Sequence, residues 1–351
     1  MGVRGITALR RAIRWRGERG LRWLKTKLTT HWAAVLLYHR VCDSPSDPWQ
    51  LSVTAENFAQ HLEIIRKKWR PVALGPLVQA LREGKRLARA VAITFDDGYA
   101  DNLHRAKPLL ERYDVPATVF LTTGCLEGAA GFWWDELESL LLRAGELPTA
   151  LDLRINGKQF HWDLGAAARR RPSFYPGLCW KADAKPPDGR CALYRSLWEL
   201  LRPLPEGERR AVLGEVRRWA GTEKKKDRDH RTLTPEEVRS LAEGGLVEVG
   251  AHTATHPVLA GLPAACQRRE IQQSKVCLEA ILDRPVTSFS YPYGLPGTEY
   301  TAETVALVRE AGFGLACSSA AGLLRWHTDP YQLPRVTVTD GDGEAFSRSV
   351  F

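Results

Sequence analysis

Residues 91–102 read VAITFDDGYADN, and the fold turns on how that stretch is parsed. Val91, Ala92, Ile93, Thr94 and Phe95 make an apolar, β-branched run of strand length, short and buried. Asp96, Asp97 and Gly98 end it abruptly. Two like charges therefore stand side by side at the mouth of a hydrophobic strand, an arrangement that calls for a chemical reason.

Working outward, AAVLLYHRV (33–41) is a buried strand ending at Tyr38-His39, and SVTAENFAQHLEIIRKKW (52–69) holds an amphipathic helix capped by Thr54. GPLVQALREG (75–84) is a short helix stopped by Gly84. After the aspartates, NLHRAKPLLERYD (102–114) reads as a helix and PATVFLTTG (116–124) as a strand. Strand, helix, strand at this spacing is a parallel α/β pattern. The rhythm resumes late in the chain with helix TPEEVRSLAEGG (234–245), strand LVEVGAH (246–252), helix QRREIQQSKVCLEAIL (267–282), strand VTSFSYPYG (286–294), helix TAETVALVREAG (301–312), strand FGLACSS (313–319) and strand YQLPRVTV (331–338).

Between about 132 and 232 the pattern differs. FWWDELESLLLRAG (132–145), LYRSLWELLR (193–202) and EGERRAVLGEVRRWAG (206–221) are helical, and LDLRINGKQFHWDL (151–164) is a hairpin turning at Asn156-Gly157. RRRPSFYPGLCWKADAKPPDGR (169–190) reads as a loop and TEKKKDRDHR (222–231) as a charged linker. The block is a mainly helical insertion in one barrel domain spanning 31–351. Residues 1–30 form a separate basic segment, with nine Lys or Arg against Glu18 and a helical spacing of Ile6, Leu9 and Ile13. That segment is either a solvated terminal helix or one lying on an anionic membrane surface.

The 351 residues carry a net charge of +9 and are 44% hydrophobic, which provides a core and excludes a disordered chain. Seven cysteines with no CxxC pair read as reduced thiols. No early apolar run has the length of a secretory signal, so the expected location is cytoplasmic, peripheral on the inner membrane face if residues 1–30 bind lipid. The basic balance favours anionic partners, but no phosphate-binding glycine loop is present and a nucleic-acid partner is not expected.

The second strand with an unusual end is LVEVGAHTATHPVL, where His252 and His256 are three residues apart. Imidazoles at i and i+4 converge on one metal if the segment makes a helical turn; otherwise they cap or pack. In a parallel barrel all strand C-termini share one face. Asp96, Asp97, His252 and His256 then meet across the sequence gap. Two histidines and one carboxylate with an open position form a catalytic zinc-type set, and a second carboxylate beside the metal-bound water can accept its proton. A third strand end, FSYPYG, adds Tyr291, Pro292, Tyr293 and Gly294, read either as an ordinary turn or as a rigid wall over a substrate.

TFDDGY, HTATH and YPYG, in this order, resemble the polysaccharide deacetylases, metal-dependent amide and ester hydrolases with a nodulation-protein-B-like domain (carbohydrate esterase family 4). YHRV (38–41) and LPRV (333–336) resemble the branch encoded with exopolysaccharide biosynthesis genes. The resemblance runs from about His31 to the C-terminus. It implies a distorted (β/α) barrel of about seven strands and removal of an N-acetyl group from a sugar in a polysaccharide or lipid-linked glycan precursor. It also implies a divalent metal ion, most often zinc, on Asp97, His252 and His256. Asp96 would be the base on the metal-bound water, and the backbone N–H of Tyr293 would face the oxyanion.

Two positions depart from the family pattern. Ser290 stands where an arginine usually orients the catalytic aspartate, and Arg335 in LPRV is the expected substitute. The late leucine-x-histidine motif that supplies the general acid is absent from LACSS; His39, ending the first strand, is preferred over His327 for that role. Trp133 and Trp134 either stack on sugar rings or pack internally. The competing readings are a non-catalytic carbohydrate-binding protein on this scaffold, and a hydrolase of O-acetyl esters or non-sugar amides.

Overall fold

The computed structural model describes residues 33–350 except 86–87, 127–130, 170–179 and 223–229. The basic segment 1–30 therefore lies outside the described residues. The chain forms two compact units. One comprises the barrel sequences up to Asp43, from Leu51 to Leu126 and from Leu233 onward, and the other comprises residues 44–50 together with 127–232.

Seven parallel strands close the first unit. They are β1 (Ala33–Tyr38), β2 (Ala90–Phe95), β3 (Ala117–Leu121), β4 (Val247–Ala251), β5 (Ser288–Ser290), β6 (Leu315–Ala321) and β7 (Leu333–Thr337). Neighbours follow chain order from β2 through β7, and β1 pairs with both β7 and β2, which closes the ring. A two-residue strand, Arg70–Pro71, adds to the start of β2. β1 and β2 are buried along their whole length, as strands covered on both faces require.

Alternate residues serve two hydrophobic clusters. Leu36, Tyr38, Ile93 and Phe95 pack with Phe58 and Leu62 of α1 (Ala55–Lys68), while Val35, Ala92, Phe120, Cys317 and Leu333 join Leu74, Leu77 and Val78 of α2 (Leu74–Arg82). Each such fully buried Leu, Val or Phe contributes about 1.5–3 kcal/mol. Thr54 caps α1 through its hydroxyl, and α7 (Pro235–Ala242) opens with a Thr234–Glu237 capping box. The intervening helices are α3 (Lys107–Tyr113) in the barrel unit, and α4 (Trp133–Leu141), α5 (Gly189–Leu201) and α6 (Glu206–Trp219) in the second unit. α8 (Ala264–Leu282), α9 (Ala302–Glu310) and α10 (Gly343–Val350) complete the barrel unit. Among the described residues, no helix is long and apolar enough to cross a membrane.

Closure carries the strand hydrogen-bonding pattern one residue past three strand ends. Asp96 N donates to Tyr38 O at 3.1 Å, His252 N to Leu121 O at 2.9 Å, and Tyr291 N to Cys317 O at 3.1 Å. The polar residues after β2 and β4 are thus fixed by the same ladder that holds the sheet. Gly98 is required directly after the aspartates: its φ is +85°, and a Cβ there would stand 2.6 Å from Leu121 Cδ2.

The second unit has its own core. The hairpin Ala150–Ile155/Lys158–Asp163 turns through Asn156 and Gly157, both at positive φ (50° and 75°), as a type I′ turn demands. Arg190, 1% exposed, donates to the carbonyls of Ala144, Gly145, Ala167 and Ala168, gathering chain ends that would otherwise be buried without donors. Trp133 and Trp134 are 8% and 6% exposed. Trp134 stacks on Phe132 and Trp133 lies against Trp198, so of the two expectations internal packing holds: these rings fill the core. Asp135 accepts from Phe132 N and caps α4.

Burial pushes the Glu138 carboxyl up to about 8; His230 and the Ser46 hydroxyl oppose that shift, while Asp135 and Asp47 add to it. A carboxyl raised from 4.5 leaves the folded state holding a proton the unfolded chain has lost. Its contribution to stability is full below about 4.5 and drains away as pH rises through about 8. The stability difference between Glu138→Gln and wild type, from tryptophan-detected urea unfolding, should grow in favour of the variant from pH 5 to pH 8.5; a pH-independent difference would contradict this assignment.

Candidate active site

β2 delivers Asp96 and Asp97 to the mouth of the barrel, 4% and 3% exposed. Arg335, on β7, reaches Asp96 with both prongs: Nη1 to Oδ1 at 2.8 Å and Nη2 to Oδ2 at 2.7 Å. Its remaining donors are also placed. Nε meets Ser318 O at 2.8 Å, Nη1 meets Thr94 Oγ1 at 3.2 Å, and Nη2 meets Ser290 Oγ at 3.0 Å. Ser318 lies where the β6–β7 register shifts between Cys317 and Ala321, and that irregular stretch supplies the carbonyl for Nε. Ser290 Oγ in turn donates to Asp96 Oδ2 at 3.1 Å. Burial alone would raise the Asp96 carboxyl; the charge of the Arg335 guanidinium and its hydrogen bonds outweigh it and hold the group well below the usual carboxylate range.

Asp97 has a different environment. Its Oδ1 lies 3.3 Å from His256 Nε2 and 3.6 Å from His252 Nε2. Asp97, His252 and His256 each offer one ligand atom, and these atoms all lie within 4.8 Å of one another. His252 Nδ1 is 2.7 Å from Ser290 O, an acceptor only, so Nδ1 carries the proton and Nε2 presents a lone pair. Burial lowers the His252 imidazole to about 4 against the opposing charge of Asp96, which keeps it neutral. Burial also raises the Asp97 carboxyl, with Asp96 adding to the rise and His39 and His252 opposing it. A neutral imidazole lone pair facing a buried carboxylate oxygen is two acceptors turned on one another. A cation bound between them removes that conflict, and the donor set suits a divalent ion of the zinc kind.

The spacing of the histidines does not work through a helical turn, and that expectation is corrected. Residues 252–258 are a loop in which Thr253 and His256 adopt left-handed φ values of 65° and 56°. Such conformations cost about 1–3 kcal/mol each for non-glycine residues. They are sustained by local bonds: Thr253 Oγ1 accepts from His256 N at 3.1 Å, Thr123 N donates to Thr253 O at 3.1 Å, and Gly124 N to Ala254 O at 2.7 Å.

His39 follows β1, with its carbonyl held by Asn102 Nδ2 at 2.9 Å. Burial lowers its imidazole, opposed by the charges of Asp97 and Asp96, so it shares their electrostatic environment. Tyr293 sits at φ 60°, its ring edge-on to His256 with centroids 4.7 Å apart and its carbonyl accepting from Ser319 Oγ. His327 is exposed beside Trp326 and is not brought to the cluster. His61 lies buried between Tyr38 and Gly341, remote in role from the mouth. Sequence reasoning missed Thr94, Ser318 and the hydroxyl of Ser290 as partners of the Arg335–Asp96 pair, and it missed Glu270 behind the histidine loop.

Comparison with known proteins adds the following. The family model described as polysaccharide deacetylase matches residues 83–144 and 199–316. YxkH of Bacillus subtilis (strain 168), described as a polysaccharide deacetylase, is 30% identical over 115 residues, 32% of this chain and 39% of that protein. The match thus spans well under half of that relative. Among solved structures, the Streptococcus pyogenes deacetylase PplD in complex with acetate superposes with a TM-score of 0.56 at 17% identity, covering 92% of this chain and 100% of that one. IcaB from Ammonifex degensii gives 0.53 at 20% identity, covering 90% and 94%. At these identities the structures establish a common fold.

Removing the guanidinium would leave the Asp96 carboxyl buried without its charge partner. Arg335→Met should lower unfolding stability by about 3–5 kcal/mol. Arg335→Lys, which keeps the charge but cannot fork both oxygens, should fall between Arg335→Met and wild type. Equal urea midpoints for Arg335→Met and wild type would contradict the pairing energetics.

Proposed function

The chain belongs to the polysaccharide deacetylase family, hydrolases of N-acetyl amide bonds, and on that premise we propose that it is a metal-dependent enzyme removing the N-acetyl group of a sugar in a polysaccharide or a lipid-linked glycan precursor. The observation that carries this reading is the pairing of two environments at one strand end. Asp96 is neutralised by Arg335, whereas Asp97 faces two imidazole nitrogens.

Asp97, His252 and His256 would hold the divalent ion, most readily zinc. Such an ion supplies Lewis acidity, both to a coordinated water and to an acetyl carbonyl. Asp96, kept ionised by Arg335, accepts the proton of the attacking water. Arg335 and Ser290 fix the direction in which its carboxylate presents a lone pair. The water oxygen bonds to the acetyl carbon and the C–N bond breaks, giving acetate and a free amine. The Tyr293 backbone N–H is the donor assigned to the developing oxyanion, worth about 3–4 kcal/mol when well placed. His39 is the imidazole assigned to protonate the leaving amine.

The basic segment 1–30 suits an anionic membrane surface, and with it a lipid-linked substrate at the cytoplasmic face. A chain lacking residues 1–30 that still fractionates with membranes would refute that anchor.

Acetate release from N-acetylglucosamine oligomers and from lipid-linked N-acetyl sugars tests the activity. Zinc-loaded wild type should release acetate, and Asp96→Asn should retain the metal while losing about 10²- to 10⁴-fold in rate. Release from O-acetyl esters alone would reassign the substrate. A metal-loaded wild type that releases no acetate from any of these would leave a carbohydrate-binding role in its place.

A further inference from the structure

Two of the three residues between the two histidines, Ala254 and Thr255, are gripped from behind by a side chain that belongs to neither strand end. Glu270 is the seventh residue of α8 and is half-buried. Its Oε2 accepts from Ala254 N at 3.0 Å and from Thr255 N at 2.8 Å, and its Oε1 accepts from Thr255 Oγ1 at 2.8 Å. One carboxylate thus takes two successive peptide N–H groups and the adjacent hydroxyl. On the other side, Thr123 N and Gly124 N hold the carbonyls of Thr253 and Ala254. The loop is clamped between α8 and the segment after β3.

The clamp matters because of what the loop must do. Thr253 and His256 are both left-handed, so the path from one imidazole to the next depends on two conformations that side-chain-bearing residues avoid. Relaxation of either would swing His256 away from Asp97 Oδ1, which lies 3.3 Å from its Nε2. Two successive peptide N–H groups bonded to one side chain fix the local path of such a turn.

We propose that Glu270 is a positioning residue for the cation site, holding the Thr253–Thr255 turn in the one conformation that brings His252 and His256 together on Asp97. The proposal rests on the reading of that trio as a divalent-ion site. It acts by reach: the side chain must be long enough to span both N–H groups. Its negative charge is secondary, because a glutamine oxygen can accept the same two bonds while its amide donates to the Thr255 hydroxyl.

The test is competitive zinc titration of the chelator-stripped full chain against a chromophoric chelator, with the cobalt absorption spectrum as a report on ligand geometry. Glu270→Ala should weaken zinc about 10- to 100-fold, the usual cost of losing a residue that orients a metal ligand. Its cobalt spectrum should change as well. Glu270→Gln should stay within about threefold of wild type. Glu270→Asp, one methylene short, should be weaker than Glu270→Gln, and this comparison carries the test if the alanine variant does not fold. Wild-type affinity in Glu270→Ala, or Asp binding better than Gln, would overturn the proposal, the latter by showing that charge and not reach is what counts. Absence of zinc binding by wild type would instead remove the metal-site reading on which it rests.

Discussion

Two adjacent carboxylates can both stay ionised in a buried strand end only if each is given its own positive charge. Asp96 has one within the chain, the guanidinium of Arg335, whose five N–H donors are spent on Asp96, Thr94, Ser290 and Ser318. Asp97 is left with two imidazoles, of which His252 is tautomerically fixed with its lone pair toward the carboxylate. The rest of the barrel mouth is arranged around that asymmetry. β7 contributes the arginine, β5 a serine whose hydroxyl binds Asp96 and whose carbonyl sets the His252 tautomer, and β4 the histidines. A substitution that removes one charge partner therefore affects both aspartates.

Closure of the parallel barrel makes this convergence possible. Residues as far apart as Asp96 and Arg335 meet because β1 pairs on both sides and brings β2 and β7 to the same short arc. Three hydrogen bonds continue from the ladder into Asp96, His252 and Tyr291, so the backbone of the site moves with the sheet and not with the loops. The second unit shares none of this. Its stability comes from its own tryptophan-rich core and from Arg190 gathering carbonyls.

Much of the fold is legible in the chain because buried parallel strands write themselves as uninterrupted apolar runs: AAVLLY and AVAITF are read directly. The Asn156-Gly157 turn is legible because type I′ geometry needs those residues. The site is legible where chemistry-bearing residues sit at strand ends, as Asp96, Asp97 and His252 do. It is illegible where conformation and not residue type is decisive. HTATH suggests a helical spacing, yet Thr253 and His256 are left-handed, and nothing in two non-glycine residues announces that. Glu270 looks like any glutamate on an exposed helix; its role depends on which loop α8 happens to face. Trp133 and Trp134 stay open between two readings for a related reason, since burial of a large ring is a property of its neighbours. Residues 44–50 belong with the second unit although the sequence places them between β1 and α1.

The proposed chemistry stands or falls with Asp97, His252 and His256 as one divalent-ion site. X-ray absorption at the zinc edge, on full-length protein loaded with one equivalent of zinc, tests it most directly. A site on these three residues gives a shell of nitrogen and oxygen scatterers at about 2.0–2.2 Å with the outer-shell pattern of two imidazoles and no sulfur. Sulfur at about 2.3 Å, or zinc bound with no imidazole signature, would place the ion elsewhere in the chain and rule out this site.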